Sequence, residues 1–186
     1  MVMEKLNFFP TSLWFDYCDE IDNVKLTKEI YNFSKEEKSK TFSNLGGYQG
    51  HNFYNKQLIE SIGNRIPRRE DKPLSEYQLY TWVNINGKGD RNQRHTHLDT
   101  TLLLSGVYYV KVPENSGNIR FYDPRGSLIQ CMPDHEYYNN GFAYQYIEPS
   151  PGMIIFFPTW LEHDVEENQS SEDRISIAFN VFVRYK

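Results

Sequence analysis

The order of apolar and polar residues predicts two helices near the start of the chain. One stretch with helical spacing of apolar residues opens at Asp22 or Asn23 and runs to about residue 37, and a second runs from Lys56 to Ile66. Aspartate and asparagine are favoured first caps of helices, and Pro67 cannot continue the second stretch. The N-terminal part of the chain is therefore predicted to be largely helical.

Short β-strands separated by turns are predicted for most of the remaining chain. Aromatic and β-branched residues dominate these segments, and turns containing glycine or proline bound them. The predicted strands are 5–17 (one or two strands), 76–85, 102–112, 118–122, 144–147, 152–157 and 174–183. This pattern favours a mainly β protein of the α+β class, a β-sandwich or barrel with helices packed on its outside. We expect one domain, 1–186, in which 1–75 support a β core formed by 76–186.

The last predicted strand has two chemically different faces. Its apolar face carries Ile175, Ile177, Phe179, Val181 and Val183, and its other face carries Arg174, Ser176, Ala178 and Asn180. Such a small polar face is either exposed or lines a ligand cavity. The planar fork of an arginine suits a carboxylate, and a serine two residues on can add a hydrogen bond. An inward-facing Arg174 without an anionic partner would be costly, which favours a carboxylate-bearing ligand.

Candidate metal ligands lie in two separate stretches. His95, His97 and Asp99 would share one side of an extended chain, because residues two apart on a strand face the same way. His163 follows an apolar strand that ends at Pro158. Two histidines and one carboxylate form a ligand set that favours Fe(II) and leaves coordination positions open. We predict a metal site of His97, Asp99 and His163, with His95 as the alternative ligand in an all-histidine site.

Composition excludes several classes of function. The net charge of −5 gives no electrostatic footprint for nucleic acid, so no nucleic-acid partner is expected. No apolar run approaches the roughly 20 residues of a membrane span, so no membrane partner is expected. The two cysteines, Cys18 and Cys131, do not form a disulfide framework, which favours a cytoplasmic setting. The oligomeric state is left open.

The combination of these motifs is similar to a known family. The pattern His97-Leu98-Asp99, His163 and Arg174-Ile175-Ser176 resembles the double-stranded β-helix oxygenases that use Fe(II) and 2-oxoglutarate. Four further stretches make the chain similar to a subfamily of these oxygenases from marine bacteria and phages: 44–50, 105–110, 121–125 and 156–163. The resemblance covers about residues 7–184. Members of the subfamily carry His-x-His-Pro where this chain has His95-Thr96-His97-Leu98, so His95 and Asp99 both stay open as ligands.

The resemblance implies a fold, an activity and roles for individual residues. It implies a double-stranded β-helix core and a hydroxylase that consumes 2-oxoglutarate and O2, releases succinate and CO2, and uses ascorbate as reductant in assays. The catalytic iron ligands would be His97, Asp99 and His163. The far carboxylate of 2-oxoglutarate would bind Arg174, Ser176 and the hydroxyl of Tyr109, with Tyr108 as the alternative to Tyr109. The setting would be the host cytoplasm if the chain is encoded by a phage.

The substrate and one competing function remain open at the level of sequence. The aromatic stretches 48–54, which includes His51, and 126–146 are candidate walls of an active site. A prolyl or other residue of a protein or peptide is slightly preferred as substrate over a small molecule. Asn84 and Asn180 are candidates to support the site. The competing function is a non-catalytic, cupin-like β-barrel that binds a metal or ligand, because 89–97 resembles the first cupin motif.

Overall fold

The computed structural model describes residues 9–68, 74–97, 104–126 and 144–185. These residues form two helices and eleven strands. In chain order the elements are β1 (Trp14–Tyr17), α1 (Asn23–Glu36), β2 (Asn44–Leu45), β3 (Tyr48–His51), α2 (Lys56–Arg65), β4 (Leu74–Asn86), β5 (Arg91–His95), β6 (Leu104–Lys111), β7 (Ile119–Tyr122), β8 (Tyr144–Ile147), β9 (Met153–Pro158), β10 (His163–Val165) and β11 (Arg174–Tyr185). The N-terminal 75 residues thus supply three strands in addition to both helices.

The two predicted helices are confirmed, and both begin at the expected kind of cap. The side chain of Asp22 accepts hydrogen bonds from the backbone N–H groups of Val24 and Lys25, both at 3.0 Å. Asn55 accepts one from the backbone N–H of Leu58 at 2.9 Å. Each bond satisfies an amide that has no partner inside the helix. Among the described residues, neither helix has the length and apolar character needed to cross a membrane.

The strands form two antiparallel sheets, as a β-sandwich requires. The six-stranded sheet has the order β1-β9-β6-β11-β4-β3, and the five-stranded sheet has the order β2-β5-β10-β7-β8. Besides the two-residue β2, two members of the five-stranded sheet, β5 and β10, were not predicted as strands. The first is a polar run and the second has only three residues, so neither shows the apolar alternation by which strands are recognised.

The six-stranded sheet lies between the helices and the second sheet, so it has a core on each side. On its helix side, Leu26, Ile30, Leu58 and Ile62 belong to one cluster with the apolar face of β11. Phe157 and Leu161 belong to the second cluster, which fills the space between the two sheets.

Both faces of β11 are buried. The apolar residues Ile175, Ile177 and Phe179 are each 0% exposed on the helix side. On the side toward the second sheet, Arg174 is only 2% exposed and Ser176 8% exposed. The polar face is therefore inside the protein, and the alternative of an ordinary solvent-exposed face is wrong.

A double glycine moves the chain from one sheet to the other. Strand β2 pairs with β5 in the smaller sheet, and β3 pairs with β4 in the larger one, with only two residues between them. Gly46 and Gly47 have φ angles of +74° and +67°, a backbone region that glycine occupies at little cost. A Cβ on Gly47 would lie 2.6 Å from the carbonyl oxygen of Ile85. This turn brings β3 to the edge of the larger sheet, beside the site described next.

Candidate metal and ligand site

Three histidines from the smaller sheet come together between the two sheets. One ring nitrogen from each of His95, His97 and His163 lies within 4.8 Å of the others. Pairing of β10 with β5 places His163 directly opposite His95, and their ring centroids are 4.4 Å apart. His97 follows two residues after β5 and lies 5.1 Å from each of the other rings. The cluster therefore depends on strand pairing between residues far apart in sequence.

Backbone carbonyls fix the tautomers of two of these imidazoles. The Nδ1 of His95 is 2.7 Å from the carbonyl oxygen of Gln93, and the Nδ1 of His163 is 2.8 Å from that of Leu161. Because a carbonyl oxygen only accepts hydrogen bonds, each Nδ1 carries the proton and donates it. The lone pair of each ring is then on Nε2.

The third imidazole is held by side chains instead. The Nδ1 of His97 is 2.8 Å from the Oδ1 of Asn180 and 2.8 Å from the Oγ of Ser105. Ser105 also donates to Asn180 at 2.8 Å, which ties the two supporting side chains together. Hydrogen bonds of this kind at the nitrogen away from the metal orient histidine ligands. The predicted supporting role of Asn180 agrees with this contact, and Ser105 was missed although it is a polar residue in an otherwise apolar strand.

Burial keeps these imidazoles neutral. It lowers the pKa of His95 and of His97, and it lowers the pKa of His163 to about 3, with the neighbouring His95 adding to the shift. Neutral imidazole is the form that binds metal ions. Three neutral imidazoles with available Nε2 atoms fit a divalent transition metal.

Stability of the metal-free protein is expected to fall as the pH falls from about 7 to 5. The unfolded chain takes up protons on these imidazoles near their usual pKa of 6.5, whereas the folded chain, with its lowered pKa values, does not. Below that pH the unfolded state binds more protons, which costs up to about 1.4 kcal/mol per pH unit for each such imidazole. Urea unfolding of metal-free protein at pH 7, 6 and 5 measures the slope.

The same titrations on a His163→Gln variant provide the control for this pH dependence. Removing the imidazole with the largest shift should make the slope shallower. The range from pH 7 to 5 stays above the usual pKa values of the carboxylates, whose titration would otherwise contribute to the slope of stability against pH. A stability that is unchanged between pH 7 and 5 in the wild type would contradict the expectation.

The predicted ligand Asp99 lies outside the described residues, so it stays a prediction. His95, the alternative ligand, is part of the described cluster with His97 and His163. The two predicted ligands His97 and His163 are brought together from positions 66 residues apart in the chain.

A cavity lined by Arg174 adjoins the three histidines. The same cavity is lined by Ser176, Tyr109 and all three imidazoles. The guanidinium of Arg174 donates to the carbonyl oxygens of Ser116 at 2.9 Å and Gly117 at 3.4 Å, and to the Oδ1 of Asn86 at 3.2 Å. All three acceptors are uncharged.

No ion pair of Arg174 with a carboxylate occurs in the described part of the chain. Glu166, whose charge acts on Arg174, pairs with Arg120 at 3.6 Å. Burial lowers the pKa of Arg174, but arginine stays charged at neutral pH. A buried cation with only neutral partners is costly unless an anion joins it. The cavity is therefore suited to an anionic ligand.

A row of polar side chains crosses the larger sheet beside Arg174. Cross-strand pairing places Tyr109 next to Ser176, Ser176 next to Asn84, and Asn84 next to Gln49. Burial raises the pKa of Tyr109, which keeps its hydroxyl protonated. The Oδ1 of Asn84 is buried and has no hydrogen-bond partner among the described residues. Tyr108, on the opposite face of the same strand, donates to Asn23 at 2.7 Å and takes no part in this row.

A second, more open pocket of about 520 Å³ adjoins two of the histidines. Both pockets are lined by His95, His97 and Trp82. The open pocket has an aromatic wall to which His51 contributes, in agreement with the prediction that 48–54 border the site. Of the other predicted wall, 127–143 lie outside the described residues. The imidazole cluster thus borders two pockets, one suited to an anion and one with an aromatic wall.

Charged side chains hold β10 in place on the outside of the smaller sheet. Asp164, next to His163, accepts hydrogen bonds from Arg120 at 2.8 and 2.6 Å and from the hydroxyl of Tyr122 at 2.7 Å. Arg94 pairs with Glu162, and its guanidinium carbon lies 3.8 Å from the centre of the Tyr122 ring. These contacts fix a strand of only three residues that carries one of the three imidazoles.

Comparison with known proteins gives one family match. Residues 80–180 match the family described as "Putative 2OG-Fe(II) oxygenase". The match extends from β4 to β11 and includes all three histidines and Arg174. No curated protein sequence matches the chain.

Solved structures share the fold at low sequence identity. A prolyl-4-hydroxylase from Pseudomonas putida has a TM-score of 0.64 at 13% identity, with 94% of each chain covered. A viral collagen prolyl hydroxylase from Paramecium bursaria Chlorella virus-1, solved as a 2-oxoglutarate complex, has a TM-score of 0.58 at 15% identity, covering 90% of this chain and 94% of that one. A prolyl hydroxylase from Trichoplax adhaerens, in complex with a hypoxia inducible factor peptide fragment, has a TM-score of 0.63 at 12% identity, covering 91% of this chain and 83% of that one. The double-stranded β-helix fold is confirmed.

Proposed function

The chain belongs to the 2OG-Fe(II) oxygenase family, and from that premise we propose that it hydroxylates a residue of a protein or peptide. The cofactors of the family are Fe(II) and 2-oxoglutarate. The overall reaction converts 2-oxoglutarate, O2 and a substrate C–H group into succinate, CO2 and the hydroxylated product. Ascorbate would serve as reductant in assays.

The observation that carries the proposal is the position of Arg174 relative to the imidazoles. A buried guanidinium with only neutral partners and three neutral imidazoles line one cavity. A 2-oxo acid with a second carboxylate has the matching chemistry at both of its ends, since one end can chelate a metal and the other can pair with arginine. Such a ligand would compensate the charge that burial leaves unpaired.

Each residue of the cavity has a separate task in this proposal. Arg174 would pair with the far carboxylate of 2-oxoglutarate, and Ser176 and Tyr109 would donate further hydrogen bonds to it. Their burial excludes water from that end of the cavity, which strengthens the pairing. The bound metal and cosubstrate supply the oxidising chemistry. The protein binds and orients the reactants and keeps the imidazoles neutral.

His97 and His163 are proposed as metal ligands with either Asp99 or His95 as the third. His95 is supported by its nitrogen, which lies with those of His97 and His163 within 4.8 Å. Asp99 is supported by the charge that a carboxylate would add to a divalent site.

A protein or peptide substrate is proposed over a small molecule. Support comes from the aromatic pocket beside the imidazoles and from the similar solved structures, three of which are prolyl hydroxylases, one in complex with a peptide fragment. We also keep as proposals the single domain 1–186 and a cytoplasmic setting, which would be the host cytoplasm for a phage-encoded chain. The resemblance to marine bacterial and phage proteins stays a prediction.

Succinate formation tests the activity without knowledge of the substrate. With Fe(II), 2-oxoglutarate, ascorbate and O2, the purified protein is expected to release succinate slowly through turnover uncoupled from substrate. Omission of O2 or of Fe(II) should remove the product. Succinate is measured by NMR. If wild-type protein that binds Mn(II) and 2-oxoglutarate formed no succinate, the proposal would fail and the non-catalytic binding module would return as the better interpretation. Family membership, which identifies the chain as an enzyme, argues against that module.

A further inference from the structure

Gln49 is a buried polar side chain that faces the aromatic pocket without a partner. It is 3% exposed, it lines the pocket, and its Oε1 has no hydrogen-bond partner among the described residues. Its backbone is fully engaged, because its N–H bonds the hydroxyl of Ser39 and its carbonyl accepts from the N–H of Lys40 at 2.9 Å. Leaving a buried amide oxygen unpaired costs about 1–3 kcal/mol. Such a group calls for an explanation, and a bound ligand that donates a hydrogen bond is one.

His51 presents a second unpaired atom to the same pocket. Its Nδ1 bonds the hydroxyl of Tyr80 at 2.8 Å, while its Nε2 is buried and has no partner among the described residues. If Tyr80 donates to Nδ1, the Nε2 carries a proton and is a donor. Gln49 and His51 are two residues apart on β3 and face the same side, which separates them by about 7 Å along the strand. One small polar group can reach both side chains.

The described lining residues of the pocket provide no free charge. Arg94 is the single formally charged side chain among its described lining residues, and it pairs with Glu162 and stacks on Tyr122. Trp82 and Phe42 add apolar ring surface. A charged substrate group would lose its water in this pocket without gaining a counter-ion, which is unfavourable. The occupant should therefore be uncharged, with an apolar part and at least one hydrogen-bond donor.

We infer that Gln49 and His51 select substrates that carry a neutral amide group next to the reacting carbon. The amide N–H would donate to the Oε1 of Gln49, and the amide oxygen would accept from the Nε2 of His51. This inference rests on the proposed function, because it takes the aromatic pocket as the substrate side of the imidazole cluster. To the proposed function it adds the chemical group, a neutral amide, by which the substrate is recognised. A peptide backbone and a free carboxamide compound share this chemistry.

Replacement of Gln49 tests whether this side chain recognises the substrate or stabilises the fold. Leucine has a similar volume and no polar atom, so Gln49→Leu removes an unpaired buried oxygen without breaking a side-chain hydrogen bond between the described residues. The melting temperature of the variant should equal or exceed that of the wild type. Gln49→Met, which keeps the unbranched shape, serves as a second variant. Gln78→Leu is the matched control, since Gln78 lies exposed on β4 and does not line the pocket.

Paired ligands test the inference on the full chain loaded with Mn(II) and 2-oxoglutarate. The probes are N-acetyl amino-acid N-methylamides and the corresponding methyl esters, in which oxygen replaces the donating N–H. Small carboxamides such as nicotinamide form a second arm that distinguishes a free compound from a peptide. Mn(II)-induced relaxation of the probe protons, measured by NMR, reports both affinity and closeness to the metal. Amides are expected to bind the wild type about tenfold more tightly than their esters.

The inference predicts that this preference depends on Gln49. In Gln49→Leu and Gln49→Met the amides should bind no more tightly than the esters, whereas Gln78→Leu should keep the tenfold preference. The inference is overturned if no amide binds, or if amides keep their advantage in both Gln49 variants. A fall in melting temperature of several degrees in both variants would also overturn it, because it would assign Gln49 a structural role. Failure of the proposed function is seen separately, as absence of succinate formation by the wild type.

Discussion

His163→Ala is expected to lower Mn(II) affinity by more than about 100-fold and succinate formation to below about 1% of the wild-type rate. Loss of a residue that only supports a metal ligand already lowers metal affinity or activity by about 10–100-fold, and His163 is proposed as a ligand itself. Its imidazole is 4% exposed and its Nδ1 is held by the carbonyl of Leu161, so its Nε2 is presented to the cluster in a fixed orientation. Mn(II) titration followed by electron paramagnetic resonance measures the affinity. Wild-type affinity in a folded His163→Ala variant would contradict the proposed site.

The same titration assigns the third ligand. If His95 is the ligand, His95→Ala should lose Mn(II) affinity to a similar extent and Asp99→Ala should retain it. If Asp99 is the ligand, the two variants should behave in the opposite way. His51→Gln is the matched histidine control for metal affinity, because His51 is not part of the three-histidine cluster.

Arg174→Met is expected to weaken 2-oxoglutarate binding by about 30-fold or more, which corresponds to about 2 kcal/mol or more. The guanidinium is 2% exposed and its hydrogen-bond acceptors among the described residues are neutral, so the carboxylate of the cosubstrate would give it a direct ion pair. The apparent KM for 2-oxoglutarate in succinate formation and the Kd measured by calorimetry both report the loss.

A cosubstrate lacking the far carboxylate shows whether the loss is specific. The wild type should bind 2-oxoglutarate much more tightly than 2-oxopentanoate, whereas Arg174→Met should bind the two compounds about equally. Arg91→Met is a suitable control, since Arg91 forms an exposed ion pair with Glu167 at 3.3 Å. The melting temperatures of the variants are measured together with the binding constants, because Arg174 also donates a hydrogen bond to the carbonyl of Ser116 within the fold. Undiminished discrimination in Arg174→Met would exclude the proposed role.

The local sequence pattern was sufficient to predict features that depend on a single strand or helix. The strict alternation of β11 predicted which residues form its apolar face and which form its polar face, including Arg174 and Ser176, because side chains on a strand alternate whatever its neighbours are. The start of the helix after Asp22 could also be predicted, since the capping residue is adjacent to the helix in the sequence.

Features that arise from pairing between distant strands could not be predicted. His95 and His163 face each other because β5 and β10 pair, yet neither strand has an apolar pattern to reveal it. Gln49 stands among glycines, outside every predicted strand. It is buried because β3 pairs with β4, which is a property of the assembled sheet. Sequence reasoning therefore identified the residue types of the site but not all of its members.

The two ends of the site lie on parts of the fold that open with different ease. Arg174 and Ser176 belong to β11, which pairs with β4 along its length and with β6 from Ile175 onward. The amide of Ser176 can separate only when the centre of the larger sheet comes apart, which is close to unfolding the whole protein. His163 instead belongs to a strand of three residues that the Asp164 contacts help to hold. Loss of the metal would therefore loosen the imidazole end first, while the carboxylate-binding end keeps its shape and remains ready for cosubstrate.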